Sequence, residues 1–236
     1  MYHLQLTLET PAANIALDEQ LLAAAEDAQL PGEVLRLWEP AAPFVVQGRS
    51  SPDGEVNAAA CRAEGIPILR RASGGATVVA GPGCLMYALV LDLTRRPELR
   101  AIDRAHQHVI GTLAAALRPL AAAVGCAGTS DLVLAPPAGS PRKFSGNSLR
   151  VRRNHLLYHG TILYDFPLAD IGRWLGRPQR QPSYRQGRDH GEFVTNLPAA
   201  RPAIEGALIA AWDAATPLPS WPVAATPHPP APSQLP

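Results

Sequence analysis

The segment Ile66-Pro67-Ile68-Leu69-Arg70-Arg71-Ala72-Ser73-Gly74-Gly75-Ala76-Thr77 is a short apolar stretch that runs into a turn with two adjacent glycines. Glycine has no Cβ, so the backbone N–H groups of such a turn can approach an anion closely. Two arginines and a hydroxyl supply further donors. The segment therefore predicts a strand followed by a site for a phosphate or carboxylate. An ordinary tight turn with two surface arginines is the alternative interpretation.

A second polar stretch is Arg142-Lys143-Phe144-Ser145-Gly146-Asn147-Ser148, which precedes a strand containing Tyr158-His159-Gly160-Thr161. Side chains alternate along a strand, so we expect Lys143, Ser145 and Asn147 on one face, with Gly146 leaving the other face clear. An ammonium group beside neutral donors suits a carboxylate or phosphate whose charge changes during a reaction. A solvent-facing polar strand is the alternative.

Taken together, these segments resemble the signature of the lipoate–protein ligases, within the biotin/lipoate ligase and octanoyltransferase superfamily. Supporting pieces occur in the same order: Asn14-Ile15-Ala16-Leu17-Asp18-Glu19, Val45-Val46-Gln47-Gly48-Arg49 and Ser130-Asp131-Leu132. The resemblance covers about residues 10–200. It implies an α/β (α+β) catalytic domain, with mixed sheets and packed helices, like that of biotin ligase and the class II synthetases.

The resemblance also implies an activity and its partners. Such an enzyme activates lipoate or octanoate with ATP and Mg²⁺ to an acyl-AMP. It then transfers the acyl group to a lysine of a lipoyl carrier domain, such as an E2 or H-protein-like domain. The accessory C-terminal domain of many lipoate ligases has no counterpart after residue 200, so we expect a separate accessory subunit to supply it.

The site residues follow by the same resemblance. Lys143 is expected to be the catalytic residue that holds the acyl carboxylate and the α-phosphate, and Asp131 to lie near the nucleotide and its Mg²⁺. The remaining residues expected to bind the substrate and adenylate are Arg70, Arg71, Ser73, Gly74, Gly75, Ala76, Ser145, Gly146, Asn147, His159, Gly160 and Thr161. Ala76 stands where the family commonly has a third glycine. The polar stretch 177–196 is expected to cover the adenylate against water.

Two further functions stay open at this stage. One is an ATP-independent octanoyl or lipoyl transferase that works through a cysteine thioester, with Cys84 or Cys126 as the nucleophile. The other is a non-catalytic protein that binds lipoyl carriers. Cys61, Cys84 and Cys126 are odd in number and widely spaced, which indicates neither a disulfide framework nor a zinc site. We interpret each as a small buried apolar residue.

Composition excludes other classes of partner. The formal net charge is +1, so no global field favours nucleic acid or an anionic membrane. No apolar run reaches the roughly 20 residues of a membrane span, and Met1-Tyr2-His3-Leu4 does not begin a signal peptide. We expect a soluble cytoplasmic protein.

The order of elements predicts one domain over residues 1–215 and a proline-rich, disordered tail over 216–236, in which proline prevents both helix and strand pairing. Helices are expected at 11–28, 56–64, 167–175 and 203–212, and from 102 toward 124 with an early end at Pro119. Strands are expected at 3–8, 34–38, 44–47, 66–69, 76–79, 85–93, 132–134, 143–151 and 155–164. Strands 76–79 and 85–93 are expected to form a hairpin.

Overall fold

The computed structural model describes residues 1–176 and 181–219. Its strands are β1 (Tyr2–Gln5), β2 (Val34–Trp38), β3 (Phe44–Gln47), β4 (Ile68–Arg70), β5 (Val78–Ala80), β6 (Cys84–Asp92), β7 (Val124–Ala127), β8 (Asp131–Leu134), β9 (Arg142–Val151), β10 (His155–Leu163) and β11 (Thr216–Pro217). Its α-helices are α1 (Pro11–Glu26), α2 (Ala58–Ala63), α3 (Ile102–Leu117), α4 (Ala169–Trp174), α5 (His190–Phe193) and α6 (Arg201–Ala211). None of these helices is long and apolar enough to cross a membrane.

The strands form two sheets. The large sheet has the order β11-β1-β2-β6-β10-β9-β8-β7, in which β1 runs parallel to β2 and to β11 while the other pairs are antiparallel. The small sheet has the order β4-β3-β5, with β3 parallel to β4 and antiparallel to β5. The predicted mixed α/β class with packed helices is confirmed.

Local sequence signals explain the helices that cover the large sheet. The Thr10 hydroxyl accepts a hydrogen bond from the Ala13 amide, and Pro11 occupies the first turn. The helix α1 therefore begins at Pro11, as the cap and the proline predict. Apolar residues at helical spacing bury one face of α3, which packs with α6 on one side of the sheet. The apolar face of α1 packs against β6 and β10 on the other side. α3 ends at Leu117, two residues before Pro119, as expected.

β5 and β6 do not form the expected hairpin, because they belong to different sheets. The chain crosses between the sheets at Gly81-Pro82-Gly83. Gly83 takes a φ of +82°, and its backbone lies so close to the carbonyl of Asp165 that a Cβ would collide with it. Only glycine fits this crossing, which joins the small sheet to the centre of the large one.

One expectation about the C-terminal part is corrected. Thr216 and Pro217 pair with β1, so strand pairing does occur past residue 215; proline is tolerated there because β11 lies at the edge of the sheet. In the stretch expected to cover the adenylate, Phe193 and Val194 are in the core, and the covering role stays a prediction. Residues 177–180 and 220–236 lie outside the described residues, and the division at 215 stays a prediction.

Candidate active site

Two adjoining cavities lie where the glycine turn meets β9 and β10. One is an open cleft of about 770 Å³, and the other is a smaller cavity of about 120 Å³ with largely apolar walls. The residues that line both are Glu55, Ala76, Thr77, Val78, Lys143, Gly146, Thr161 and Pro182. The predicted turn and the predicted polar strand therefore meet at one place.

The glycine turn is held from inside by Arg71. Its guanidinium donates to the carbonyls of Gly74 (2.6 Å) and Ala76 (2.9 Å). Burial lowers the pKa of Arg71 to about 10, although the nearby Glu55 carboxylate acts in the opposite direction. The side chain is thus part of the turn as well as of the cleft wall, because the turn wraps around it.

Within this turn only Gly75 takes a positive φ, of +86°. Its carbonyl packs against the backbone of Gly48 so closely that a Cβ on Gly48 could not fit, and it accepts a hydrogen bond from the Ser51 hydroxyl. Ala76 lies outside the left-handed region, so its methyl group introduces no strain and lines both cavities.

Three predicted residues of the same segment lie outside the lining of both cavities. Arg70 donates instead to the carbonyl of Gly48 (2.8 Å) and to the Asp53 carboxylate (3.0 Å). Gly74 accepts a hydrogen bond from the Ser148 hydroxyl at 2.8 Å. The Ser73 side chain is buried beneath the turn, where it contacts Arg71 and His159. These residues therefore stabilise the turn without lining either cavity.

Lys143 does not share a face with Ser145 and Asn147, which corrects the expectation from strand alternation. Lys143 is paired with Val133 and Ser145 with Leu132, so Phe144 is an extra residue in β9. This β-bulge reverses the alternation at one position. The Lys143 ammonium therefore lies over Gly146, at 2.7 Å from where a Cβ on that glycine would be.

The Lys143 ammonium is paired with the Asp131 carboxylate. Its Nζ lies 2.7 Å from Asp131 Oδ1, and the Tyr184 hydroxyl donates to Asp131 Oδ2, also at 2.7 Å. Burial, together with the Asp131 charge, raises the pKa of Tyr184, so the phenol remains a donor. Lys143 is 26% exposed and lines both cavities. A reachable cation thus lies where the two cavities meet.

Mg²⁺ would find few protein ligands at this site. Both Asp131 oxygens already have partners, and the described residues contain no group of three or more His, Cys, Asp or Glu side chains suited to a metal. Mg²⁺ commonly binds through one or two carboxylates plus substrate phosphates. The Asp131 carboxylate fits that mode only, and the Mg²⁺ role of Asp131 stays a prediction.

Ser145 and Asn147 do share a face; Ser145 lines the smaller cavity and Asn147 the large cleft. The Asn147 amide donates to the Ser145 hydroxyl (3.1 Å) and to the Ser130 carbonyl (2.8 Å), and its oxygen accepts from the Tyr87 hydroxyl. Gly160 lies directly across from Asn147, and only the absence of a Cβ there lets the amide cross the strand. This side chain fixes the position of β9 against the large sheet.

His159 and Thr161 project from β10 toward the cleft, where both are among its lining residues. His159 faces Ser148 across the sheet and contacts Ser73 through Nε2 and Asp18 through Nδ1. Thr161 lines both cavities, as Lys143 does. Together with Gly146, these side chains make the floor of the site.

Sequence reasoning missed several polar residues of the site. Asp18 and Glu55 line the large cleft, and Tyr184 is the partner of Asp131. One signal was available for Asp18, since it lies at helical spacing from Ile15 and Leu21 on the apolar face of α1. Lys143 was identified from the sequence, and it carried one more signal, because it is the only lysine in the chain.

The cysteines lie away from this site. Cys61 and Cys84 are buried, as expected, whereas Cys126 is exposed. None of the three lines either cavity. Burial, with a smaller contribution from Glu39, raises the pKa of Cys84 to about 12, which is the opposite of what an activated thiolate needs.

Comparisons with known proteins agree with this architecture. A putative lipoate-protein ligase A of Aeropyrum pernix is 29% identical over 212 residues, which cover 90% of this chain and 74% of the relative. Three other curated lipoate-protein ligases match over only 35% to 54% of their own length. The chain therefore spans about half or less of those relatives.

Solved structures show the same fold. A bi-partite lipoate protein ligase from Thermoplasma acidophilum, described with its E2 lipoyl domain, aligns with a TM-score of 0.72 at 21% identity, covering 90% of this chain and 83% of the other. A lipoate-protein ligase A bound with ATP aligns with a TM-score of 0.63 at 21% identity, covering 90% and 85%. Residues 10–205 match the Lipoyl protein ligase A/B catalytic domain. The chain belongs to that family.

Proposed function

We propose that this protein is an ATP-dependent lipoate–protein ligase. It joins lipoate or octanoate to AMP and then transfers the acyl group to a lysine of a lipoyl carrier domain. The observation that carries the proposal is Lys143, the one lysine of the chain, whose half-buried ammonium stands where two cavities meet. Among the described residues, Lys143 is the one cation that lines both cavities, and cavities that share a cation suit a reaction that joins two anionic substrates.

The first reaction joins two groups that repel each other. A carboxylate oxygen of the acid attacks the α-phosphorus of ATP, a phosphorus–oxygen bond forms, and pyrophosphate leaves. Negative charge collects at the reacting centre, where Lys143 and the backbone N–H groups of the glycine turn can offset it. Lys143 is paired with Asp131, and its flexible side chain can turn the ammonium toward a substrate anion.

The second reaction needs a carrier. The neutral ε-amine of the carrier lysine attacks the acyl carbonyl, an amide forms, and AMP leaves with the electron pair of the broken bond. The Thermoplasma acidophilum ligase described with an E2 lipoyl domain supports this class of acceptor. A separate accessory subunit and Mg²⁺ are part of the proposal, and Mg²⁺ would neutralise phosphate charge with Asp131 as its protein ligand.

The cysteine-dependent transferase is less well supported by the geometry. A thioester intermediate requires a thiolate beside the acyl group, whereas Cys61 and Cys84 are buried and Cys126 lies outside the lining of both cavities. A non-catalytic carrier-binding protein has no need for a reachable cation with a carboxylate counter-ion.

ATP–pyrophosphate exchange with lipoate, octanoate or biotin tests the proposal. We expect exchange that depends on one acid and is lost in Lys143→Ala. Adding a carrier domain should then produce a mass increase on the carrier. The control is Arg142→Gln, which changes the exposed neighbour whose guanidinium donates to the carbonyls of Gly191 and Val194, and it should leave exchange intact.

Absence of exchange, even with a carrier and an accessory partner supplied, would overturn the ligase. A thioester trapped at Cys84 or Cys126 would then support the cysteine-dependent transferase.

A further inference from the structure

A buried line of polar contacts connects helix α1 to the glycine turn. Arg36 donates to Asp18 Oδ1 at 2.6 Å, and Asp18 Oδ2 lies 3.2 Å from His159 Nδ1. His159 Nε2 contacts the Ser73 hydroxyl, which also accepts from Arg71 Nε at 3.1 Å. Each of these residues is buried. The line joins segments that are 86 and 141 residues apart in sequence.

If His159 is neutral, the donors and acceptors in this line have one consistent arrangement. Guanidinium groups only donate and an ionised carboxylate only accepts, so Asp18 accepts from both Arg36 and His159 Nδ1. A neutral His159 then has its free lone pair on Nε2, which accepts the Ser73 proton. The Ser73 oxygen is left to accept from Arg71, the same side chain that holds the carbonyls of the turn.

We propose that Asp18 and His159 are positioning residues that orient the glycine turn through the Ser73 hydroxyl. This proposal rests on the proposed function, because the turn is the part of the site that faces the acyl and phosphate groups. Asp18 fixes the tautomer of His159, His159 fixes the rotation of the Ser73 hydroxyl, and Ser73 fixes the Arg71 fork. None of these steps requires that Asp18 or Ser73 touch substrate.

The same three residue types form the triad of serine acyl-transfer enzymes, but here Ser73 is placed differently. The serine is 1% exposed and lies outside the lining of both cavities. In addition, an Arg71 N–H occupies a lone pair of its hydroxyl, which makes it a poorer nucleophile. The network therefore holds the turn in place and forms no ester.

A double-mutant cycle on activity tests the proposal. His159→Asn keeps an amide near the Nδ1 position for Asp18 but has no atom at Nε2, and Ser73→Ala removes the hydroxyl itself. Each single variant should lower kcat/KM for pyrophosphate exchange by about 10- to 100-fold, because small displacements of a reacting site cost that much. The double variant should lose no more than the poorer single variant, since the second change removes a contact already gone.

The matched control is His155→Asn. His155 lies on the same strand and pairs through Nδ1 with another carboxylate of α1, Glu26 Oε1, at 3.1 Å. It lies outside the lining of both cavities, so exchange should keep its wild-type rate. Thermal unfolding of all variants separates a loss of positioning from a loss of fold.

Asp18→Asn is the direct test of the first residue. Its amide N–H₂ would face His159, move the ring proton to Nε2 and deprive Ser73 of its acceptor. We expect the same loss of exchange as in His159→Asn, with lower thermal stability because Arg36 loses its carboxylate. If this variant does not fold, the cycle on Ser73 and His159 decides.

Hydrogen exchange of the turn gives a readout that does not depend on ligase activity. The amides of Ala72 and Thr77 flank the turn and donate to Glu19 and Glu55. Both should exchange faster in His159→Asn and Ser73→Ala, but not in His155→Asn. Unchanged hydrogen exchange of these two amides in His159→Asn and Ser73→Ala would overturn the proposal. So would activity losses that multiply in the double variant, or an acyl adduct on Ser73. If the wild-type protein shows no pyrophosphate exchange, the proposed ligase function is overturned, whereas the positioning role is not.

Discussion

Two ion pairs of nearly equal length lie in different surroundings and differ in what they can do. Arg36 and Asp18 are 2.6 Å apart with side chains 0% and 3% exposed, whereas Lys143 and Asp131 are 2.7 Å apart and 26% and 10% exposed. The first pair is almost fully buried, although Asp18 borders the large cleft, whereas Lys143 of the second pair lines both cavities. Distance alone therefore does not indicate the role of an ion pair.

The type of cation in each pair suits the surroundings of that pair. The Arg36 fork donates to four acceptors on three residues, among them the carbonyls of Leu6 and Asn14, so it ties the loop before α1 to β2. Among the residues that the structure describes, Lys143 has Asp131 as its one side-chain ion partner. A compact ammonium on a flexible stem can change partner when a substrate arrives, whereas a guanidinium in a fixed fork cannot do so cheaply.

The largest expected effect comes from breaking the buried pair. Asp18→Ala leaves the Arg36 charge uncompensated in the core and should lower the free energy of unfolding by about 3–5 kcal/mol. Asp131→Ala, the matched change in the open pair, should cost less than about 1 kcal/mol because solvent reaches Lys143. Urea unfolding of both variants measures the difference, and equal losses would contradict the comparison.

A change of cation in the open pair should affect activity rather than stability. Lys143→Arg keeps the charge but replaces a point charge by a bulky planar fork, so we expect pyrophosphate exchange to fall about 100-fold. The unfolding midpoint should stay close to that of the wild type. Full activity in this variant would mean that charge alone, and not its exact position, is what the site needs.

Gly146→Ala tests the position of the same ammonium without replacing the lysine. The new methyl group would lie 2.7 Å from Lys143 Nζ, so the ammonium must move, and it can do so easily as the end of a flexible chain. We expect about a tenfold loss of exchange with little change in stability. Gly125→Ala in β7, whose nearest neighbour would be 3.9 Å away, should leave exchange unchanged.

The smallest effect is expected at an intermediate pair, Glu33 and Arg96, which are 2.9 Å apart. Burial alone would raise the pKa of Glu33, but hydrogen bonds from Arg96 and the Asp92 amide, with the charge of Arg96, outweigh it and lower the pKa below 4.5. A lowered pKa in the folded state stabilises the protein above pH 4.5 and loses that effect as the pH falls.

Glu33→Gln should therefore be less stable than the wild type at pH 7, and the gap should close as the pH falls below about 4.5. Thermal unfolding between pH 3 and pH 7, in steps of about half a unit, measures this gap. A gap that stays constant with pH would show that the glutamate contributes packing rather than charge.

The elements that sequence reasoning placed well depend on local signals. Thr10 and Pro11 start α1 where predicted, and Val34–Trp38 and Phe44–Gln47 are strands at the predicted bounds. Caps, proline and apolar spacing act within a few residues, so one sequence suffices to read them. The prediction of a hairpin between β5 and β6 was wrong, because no local sequence signal distinguishes a turn within a sheet from a crossing between sheets.

The candidate site divides in the same way. Sequence alone brought the glycine turn, Lys143, Asp131 and His159 into one hypothesis through their resemblance to a family. It did not predict that Arg70 faces away from both cavities, or that Tyr184 holds Asp131. It also placed Lys143 on the wrong face of β9, because a bulge shows no signal in the residue pattern.

By itself, the sequence determined the family, the mixed α/β class and the chemical groups available for the reaction. Tertiary structure decided which of those groups face the cavities, which lie behind them, and which cation is buried. The physical reason is distance along the chain: the contacts from His159 to Asp18 and to Ser73 join residues 141 and 86 positions apart. Hydrogen bonds between such distant residues exist only once the sheets have assembled around them.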